Sequence, residues 1–408
     1  MFKQTTKCEK VEKHKIWKLL SATDFNSLMY PCLYMCWLLG FFPYKCDSPT
    51  YRFLKVRFIF STFAMFIYGV SLFVLIYQVN FTTLISYNIT SAIHNNFFLL
   101  LDGSIIVVMY ILTDARVTVI RNLSKISSIL SSEDFDDLAK MINVKNIIGF
   151  LFLIVHVPNC FKDNILLTLR NIDCFYITLT NFTVDMLYMD CVCVLKACFK
   201  RMDECLRRLK SQINGEPWAQ SLVHREQKNL LLLIKLKNFE EKYLEISDVV
   251  QLLNNTFLIR NIIIAASTFT VVTFNLYFLI IYSHGNLPEN KGFWYIPFLS
   301  SAVFHLFKFS LMIWACETAT DQARNIKTTV HDVFSDATDP VTKREVELLS
   351  LQILHRNNTF TAKAIEMNAS LLSKILGGIS MYILILFQFL LNSVICNSYA
   401  EQVEDVSE

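Results

Sequence analysis

The sequence is short of charge. Asp, Glu, Lys and Arg make up 18% of its 408 residues, whereas a soluble globular domain has about 25%. Hydrophobic residues make up 53%, and the mean hydropathy is +0.40. A soluble chain of this length needs more charge to cover its surface, and a disordered chain has far fewer apolar and aromatic residues. The composition therefore excludes both classes and predicts a membrane protein.

Several functional signatures are also missing. The net charge is only +3, so no basic excess points to nucleic acid as a partner. The sequence contains no phosphate-binding loop, zinc-binding His-Glu-x-x-His or Gly-x-Ser-x-Gly elbow, so we expect neither an enzyme nor a bound cofactor or metal. Only 9 Gly and 8 Pro occur, without an internal repeat, which counts against a transporter built from repeated halves with broken helices.

Long apolar runs are what the sequence has instead. A membrane-spanning helix needs about 20 mostly apolar residues. Seven segments meet this requirement: 56–78, 90–113, 147–165, 174–199, 257–283, 293–317 and 375–396. An eighth run, 28–42, contains Pro31 and is only about 15 residues long. We expect this run to dip into the membrane or lie on it.

Lys and Arg are unevenly distributed between the connections. With the N-terminus in the cytoplasm, 31 of the 38 Lys and Arg lie in the cytoplasmic connections and 3 in the outer ones. Because Lys and Arg favour the cytoplasmic side, we predict an all-α membrane protein with seven transmembrane helices, a cytoplasmic N-terminus and an extracellular C-terminus. A G-protein-coupled receptor has the opposite orientation.

This topology divides the chain into functional regions. They are a cytoplasmic N-terminal segment, a six-helix bundle, cytoplasmic helices, a seventh transmembrane helix and an extracellular tail, at 1–55, 56–317, 318–374, 375–396 and 397–408. The connections after spans four and six have amphipathic helical spacing, so spans four and five should continue into the cytoplasm as a helical hairpin. The cytoplasmic helices form either a solvated cap or an anchor that holds subunits together.

Ionisable groups inside spans are costly in hydrocarbon and tend to mark a cavity. The predicted spans two, four, five and six contain His94, Asp102, Asp185, Asp190, Arg260, His305 and Lys308. Each of these groups either holds helices together or belongs to a water-accessible cavity. Neighbouring aromatic and amide side chains would complete a pocket for a small polar or semi-polar ligand. Its predicted lining is His94, Asn95, Asp102, Thr180, Asp185, Asn275, Tyr277, Trp294 and His305.

The seventh span has a different character. Its midsection is almost wholly apolar, apart from Gln388 and Asn392, which are four residues apart and share a helix face. Met381 and Ile385 extend this stripe. A single helix cannot enclose a pore, so a pore lined by this polar face requires an oligomer.

The same helix carries a resemblance to a known family. Tyr382, five hydrophobic residues, Gln388 and Phe389 resemble the C-terminal signature of insect gustatory receptors, which is Thr-Tyr, five hydrophobic residues and Gln-Phe. Met381 departs from the signature because it stands where the family has Thr. Leu-Gly-Phe-Phe-Pro at 39–43 is similar to a motif near the start of that family.

The resemblance implies a ligand-gated, non-selective cation channel, built as a homo- or hetero-tetramer in the plasma membrane of a sensory neuron dendrite or another chemosensory cell. Its partners would be a small-molecule tastant, permeating cations, membrane lipid and other gustatory receptors. Four copies of the seventh span would line one pore. Gln388 and Phe389 would lie at the gate, with Ile385 and Asn392 on the same helix.

Other classes stay open. A chemoreceptor that signals through a G protein and a small-molecule transporter are both alternatives, although the Asp-Arg-Tyr and Asn-Pro-x-x-Tyr motifs of G-protein-coupled receptors are absent. Insect odorant receptors share the inverted topology, but the Gln-Phe ending and the Phe-Thr-Ala run at 360–362 favour the gustatory branch.

Cysteine is plentiful but scattered, with 12 residues along the chain. Cys160 and Cys174 flank the second outer loop, where the exterior would allow a disulfide. The alternative is that both pack as small hydrophobic side chains, as free cysteine commonly does.

The predicted orientation places two glycosylation acceptors, Asn80 and Asn88, in the first outer loop. We expect the chain made in glycosylating cells to lose mass on glycosidase treatment, and the Asn80→Gln/Asn88→Gln variant to show no such loss. A glycan on an N-terminal tag, with none at Asn80 or Asn88, would contradict the orientation.

Overall fold

The computed structural model describes residues 21–47, 50–81, 89–156, 165–214, 222–284, 292–336, 340–363 and 365–407. Helices dominate these segments. They are α1 (Phe25–Leu38), α2 (Lys55–Phe81), α3 (Ile89–Ile111), α4 (Thr113–Ile126), α5 (Ser132–His156), α6 (Ile165–Asn214), α7 (Leu222–His284), α8 (Gly292–Asp336), α9 (Pro340–His355) and α10 (Ala369–Ser407). A short 3-10 turn, Ser127–Ile129, joins α4 to α5.

The predicted all-α architecture is confirmed. Five helical segments among the described residues are long and apolar enough to cross a membrane: Lys55–Phe81, Thr90–Ile111, Leu230–Ser283, Tyr295–Val333 and Ala369–Asn392. They correspond to predicted spans one, two, five, six and seven. Span four lies within α6, and span three begins in the second half of α5 and runs into residues outside the described part.

Helix α6 is the centre of the bundle. Every residue from 180 to 195 is buried, and a helix that is enclosed on all sides lies in the core of its bundle. It packs against α1, α5, α7 and α8. This central position explains why α6 tolerates Asp185, Asp190 and Lys196 within its predicted span, since other helices supply partners for charged groups.

The short helix α1 belongs to the same core. It begins at an N-cap in which Asp24 Oδ1 accepts a hydrogen bond from the Ser27 backbone N–H at 2.9 Å, an arrangement that satisfies an otherwise unpaired donor. Its buried face packs on α5 and α6, where Cys32 Sγ lies 3.9 Å from the Thr183 carbonyl oxygen. The apolar run predicted at 28–42 therefore contacts the bundle interior.

The helices that we predicted to extend into the cytoplasm are long and continuous. α6 has 50 residues and α7 has 63, so each extends well past the predicted spans 174–199 and 257–283, as the amphipathic pattern indicated. The predicted break at 215–217 lies outside the described residues. α8 likewise continues beyond 317 to Asp336.

Local features differ from the predicted pattern at three places. The second span ends at Ile111, two residues before its predicted end, because a turn at Leu112 separates α3 from α4. Two antiparallel hairpins were also not predicted. They pair Tyr44–Asp47 with Thr50–Phe53, and Thr361–Ala362 with Ile365–Glu366.

Helix α10 is the least covered of the spanning helices. Only 6% of its apolar segment is buried, against 44% for α7. One stripe packs inward, where Ile379 is buried against Val272 and Ala302, and Ile375 and Ile383 lie beside it. The described residues leave the other faces of α10 exposed.

Gly40 ends α1 in a conformation that favours glycine. Its φ is +83°, and a Cβ added there would lie 2.9 Å from Ala64 Cβ. We expect Gly40→Ala to lower the melting temperature of the purified protein, because the left-handed conformation costs a residue with a side chain about 1–2 kcal/mol and α2 must also move. Gly377→Ala is the matched control, since it meets nothing within 4 Å. Equal melting temperatures would contradict this account.

Candidate functional site

The centre of the bundle contains a buried charge cluster. Asp185 of α6 bonds to Arg260 of α7 through Oδ1 and lies 2.8 Å from Lys308 Nζ of α8 through Oδ2. All three side chains are buried. Because an unpaired charge is very costly in this environment, one carboxylate holds three long helices in a fixed register.

Arg260 is surrounded by further partners. Its Nη1 donates a hydrogen bond to Asn261 Oδ1 at 2.6 Å and contacts Met312 Sδ at 3.3 Å. Its guanidinium carbon lies 4.9 Å from the ring centre of Tyr188, whose hydroxyl is 3.4 Å from Cys316 Sγ. The cationic end is thus enclosed by polar and aromatic groups of α6, α7 and α8.

Asp102 forms a second polar cluster, between α3, α6 and α7. Ser267 Oγ donates to its carboxylate at 2.8 and 2.9 Å. Asn181 Nδ2 donates to the Asp102 carbonyl at 3.1 Å and to Oδ1 at 3.3 Å. Both clusters include residues of α6 and α7, so together they connect four helices.

A third charged pair, with Asp190 buried and Lys145 half-buried, lies between α5 and α6. Lys145 Nζ is 2.6 Å from Asp190 Oδ1, and Asn146 Nδ2 donates to the other carboxylate oxygen at 3.3 Å. The sequence reasoning missed Lys145 because the third span was predicted to begin at 147. Because Asp190 lies inside the predicted fourth span, its pairing places Lys145 at the same depth. The part of α5 that packs within the bundle therefore begins before residue 147.

Arg116 is a further buried cation that the sequence reasoning assigned to a cytoplasmic connection. It is fully buried, and its Nη2 donates to the carbonyl oxygens of Phe41 and Met109 at 2.8 and 2.6 Å. Its guanidinium carbon lies 5.3 Å from the Phe41 ring centre. These contacts attach α4 to the segment after α1.

The other predicted pocket residues lie nearer the outer ends of their helices. Asn275 donates to Ser301 Oγ at 2.9 Å. The His94 ring centre lies 5.4 Å from that of Phe274 and 5.8 Å from that of Phe278. Within the described part of the chain, His94 Nε2 has no hydrogen-bond partner. An aromatic wall with a free polar atom suits a small ligand.

The remaining members of the predicted pocket are less informative. Thr180 and His305 are buried, while Asn95 and Tyr277 are half-buried. Trp294 belongs to α8, but its side chain lies outside the described part. Asp102 and Asp185 therefore belong to the charge clusters, whereas His94 packs against aromatic side chains.

Residues of the predicted pore and signature lie on α10. Gln388, Phe389 and Asn392 are exposed in the single chain, and Ile385 is half-buried. Tyr382 makes an edge-on contact with Phe269 of α7, with ring centres 5.5 Å apart. The polar stripe thus lies on a face that the described helices of this chain do not cover.

The segment that leads into α10 is attached to the middle of α7 by hydrogen bonds. Asn254 Nδ2 donates to the Thr359 carbonyl at 2.8 Å and accepts from the Thr361 N–H at 3.3 Å. Asn358 Nδ2 donates to the Tyr243 hydroxyl at 2.8 Å. A movement of α7 would therefore be transmitted to the start of α10.

Comparison with known proteins identifies the class. The profile of the 7tm chemosensory receptor family matches residues 29–393. The chain belongs to this family. No curated protein matches the sequence.

Two solved structures have a similar fold. Both are of the insect olfactory receptor OR5 from Machilis hrabei, and the first is a complex with eugenol. The first has a TM-score of 0.66 and covers 90% of this chain and 98% of that chain; the second has a TM-score of 0.67 with coverage of 88% and 97%. Identity is 10% to each, so the likeness concerns the fold. The predicted chemosensory class and seven-helix all-α membrane fold are confirmed.

The predicted outer-surface modifications remain predictions. Asn80 and Asn96 exchange hydrogen bonds of 2.9 and 2.8 Å between α2 and α3, and Asn88 lies outside the described residues. Cys160 also lies outside them, so its pairing with Cys174 is untested.

The charge cluster predicts a large effect at Asp185. Asp185→Asn should leave Arg260 and Lys308 without their carboxylate, which typically costs about 3–5 kcal/mol. We expect the receptor to lose most of its surface expression and its monodisperse elution. Asp321→Asn breaks an exposed pair with Arg324 and should have little effect. Normal expression and melting temperature for Asp185→Asn would contradict the structural role of the cluster.

Proposed function

We propose that this receptor is an insect gustatory receptor that works as a ligand-gated, non-selective cation channel and detects a small-molecule tastant. It would assemble as a homo- or hetero-tetramer with other gustatory receptors, in the plasma membrane of a sensory neuron dendrite or another chemosensory cell. The Lys and Arg distribution supports a cytoplasmic N-terminus and an extracellular C-terminus.

The observation that carries the proposal is the uncovered polar stripe of α10. Gln388 and Asn392 are exposed in the single chain, and amides facing lipid would be left unsatisfied at a cost of several kcal/mol. Several copies around an axis would turn this stripe toward a water-filled path. Four copies of α10 would then form the pore wall.

Phe389 lies next to the polar stripe and is suited to be the gate. Its side chain is 69% exposed, so it is available to meet its counterparts from other copies. A ring of apolar side chains closes a narrow path by excluding water. Rotation of α10 would replace the Phe389 rings by Gln388 amides and allow hydrated cations to pass.

Ligand binding would be coupled to this gate through α7. A tastant bound near His94 and Phe278 would contact the outer part of α7. The inner part of the same helix makes hydrogen bonds to Asn358 and Thr359, which precede α10. The ligand shifts the equilibrium only as far as its affinities for the closed and open states differ. The polar clusters of Asp102 and Asp185 keep the bundle rigid between the two ends.

Electrical recording separates this proposal from the alternatives. We expect a panel of sugars, amino acids and alkaloids to include a ligand that evokes cation current in inside-out patches without added nucleotide. A current that disappears on excision and returns with GTP would favour signalling through a G protein. Uptake of a labelled ligand without conductance would favour a transporter.

The gate assignment predicts a leaky variant. Phe389→Ala should raise the basal current about tenfold, because removing an apolar constriction lets the closed path fill with water. Leu390→Ala is the control, since this neighbouring side chain is half-buried and lies about 160° around the helix from Gln388 and about 100° from Phe389. Currents are compared at equal surface expression, and an unchanged leak in Phe389→Ala would exclude Phe389 as the gate.

A further inference from the structure

A cavity separates the extensions of α6 and α7 beyond the membrane. Its volume is about 330 Å³, and its walls come from α6 between 201 and 212 and from α7 between 235 and 242. Ile129 of the 3-10 turn closes one side. Pockets of this size hold small ligands, and this one is distant in sequence from both the charge clusters and the pore stripe.

The charged residues of the lining are all cations, namely Arg201, Arg208, Lys235 and Lys242. Two of them are compensated from outside the lining. Arg201 pairs with Glu204 at 3.1 Å and Lys242 with Glu245 at 2.9 Å. Hydrogen bonds from Lys242 and Lys125 hold the pKa of Glu245 below its usual range, so this compensation persists at neutral pH.

Arg208 and Lys235 carry the remaining charge. Within the described part of the chain, neither has a carboxylate within ion-pair distance, and Lys235 Nζ donates instead to the neutral Gln212 Oε1 at 3.0 Å. Arg208 is on α6 and Lys235 is on α7, so the cavity has one uncompensated cation on each wall. An occupant with about two negative charges would neutralise both.

The floor between these cations is apolar. It includes Met202, Leu209 and Phe239, and Phe239 stacks on Tyr243 with ring centres 6.5 Å apart. An inorganic anion would leave this surface unused. A ligand with a charged end and a ring or apolar body would cover it.

We propose that this cavity binds a phosphate monoester attached to a ring or apolar body. A phosphate monoester carries about −1.5 to −2 charges at neutral pH, which matches two uncompensated cations better than a single carboxylate does. Arginine presents two parallel donors to phosphate oxygens, and lysine adds a point charge. The phosphate group comes either from a lipid headgroup or from a free metabolite such as a nucleoside monophosphate.

The site is connected to the pore helix by direct contacts. Phe239 and Lys242 line the cavity, and the adjacent Tyr243 accepts the hydrogen bond from Asn358 before α10. An occupant that draws α6 and α7 together would bias the position of this segment. This regulatory role rests on the proposed channel function, whereas binding itself does not.

Binding to the purified, assembled receptor tests the inference without reference to channel activity. One probe is adenosine monophosphate, with adenosine as its uncharged control, and the other is a nanodisc containing phosphatidylinositol 4-phosphate, with a nanodisc lacking it as control. We expect at least one phosphate probe to bind, and Arg208→Gln/Lys235→Gln to weaken that binding about tenfold or more. Lys237 is exposed on α7 and does not line the cavity. The control variant Lys237→Gln should therefore bind the phosphate probe as tightly as the wild type does.

The outcomes are distinct. Binding of the nucleotide identifies a free metabolite as the source, and binding of the lipid alone identifies a headgroup. The proposal is overturned if neither probe binds, if adenosine binds as tightly as its phosphate ester, or if the double variant retains wild-type affinity. Dissociation of the assembly in the double variant would show that acidic groups of a second copy occupy the cavity, which also overturns it. If the double variant does not fold, Arg208→Gln and Lys235→Gln alone should each weaken binding.

Discussion

The architecture depends on the buried carboxylate of Asp185, because an unpaired charge inside a bilayer is very costly. Asp185 lies between Arg260 and Lys308, and each of these residues belongs to a different long helix. The gain from pairing is modest relative to apolar packing, but the loss on breaking the pair is large. The cluster therefore fixes the rotation and register of α6, α7 and α8, and the other contacts of the bundle follow from that arrangement.

Polarity is distributed in two contrasting ways. Inside the bundle, Asp102, Asp185 and Asp190 each have donors from neighbouring helices. On α10, Gln388 and Asn392 lie on a surface that the described part of the chain leaves exposed. The first arrangement makes the bundle rigid, and the second makes a single chain incomplete. The proposed function uses both properties, because ligand binding to a rigid bundle would move the pore helix only if that helix is less tightly packed.

The sequence allowed much of the fold to be predicted, because seven apolar segments and the uneven Lys and Arg distribution are properties of single helices and loops. The pairing of the buried charges was not predictable. Arg260 and Lys308 stood out as ionisable groups within spans, but which carboxylate each one meets depends on helix rotation and depth. Lys145 and Arg116 were missed because a cation near the end of an apolar segment has the same sequence pattern as a cytoplasmic charge. The coupling of α7 to the segment before α10 joins residues such as Asn254 and Thr359, more than a hundred positions apart, and no local pattern encodes it.

If α10 lines a water-filled path through its Gln388 face, a side chain at that position is accessible to charged reagents in water. The most direct test introduces cysteine at this position and at Leu390 and applies a charged, thiol-reactive methanethiosulfonate during ligand-evoked current. The account predicts that the reagent irreversibly reduces the current of Gln388→Cys, while the wild type and Leu390→Cys are unaffected. An unaltered current in Gln388→Cys, or an equal reduction in Leu390→Cys, would contradict it.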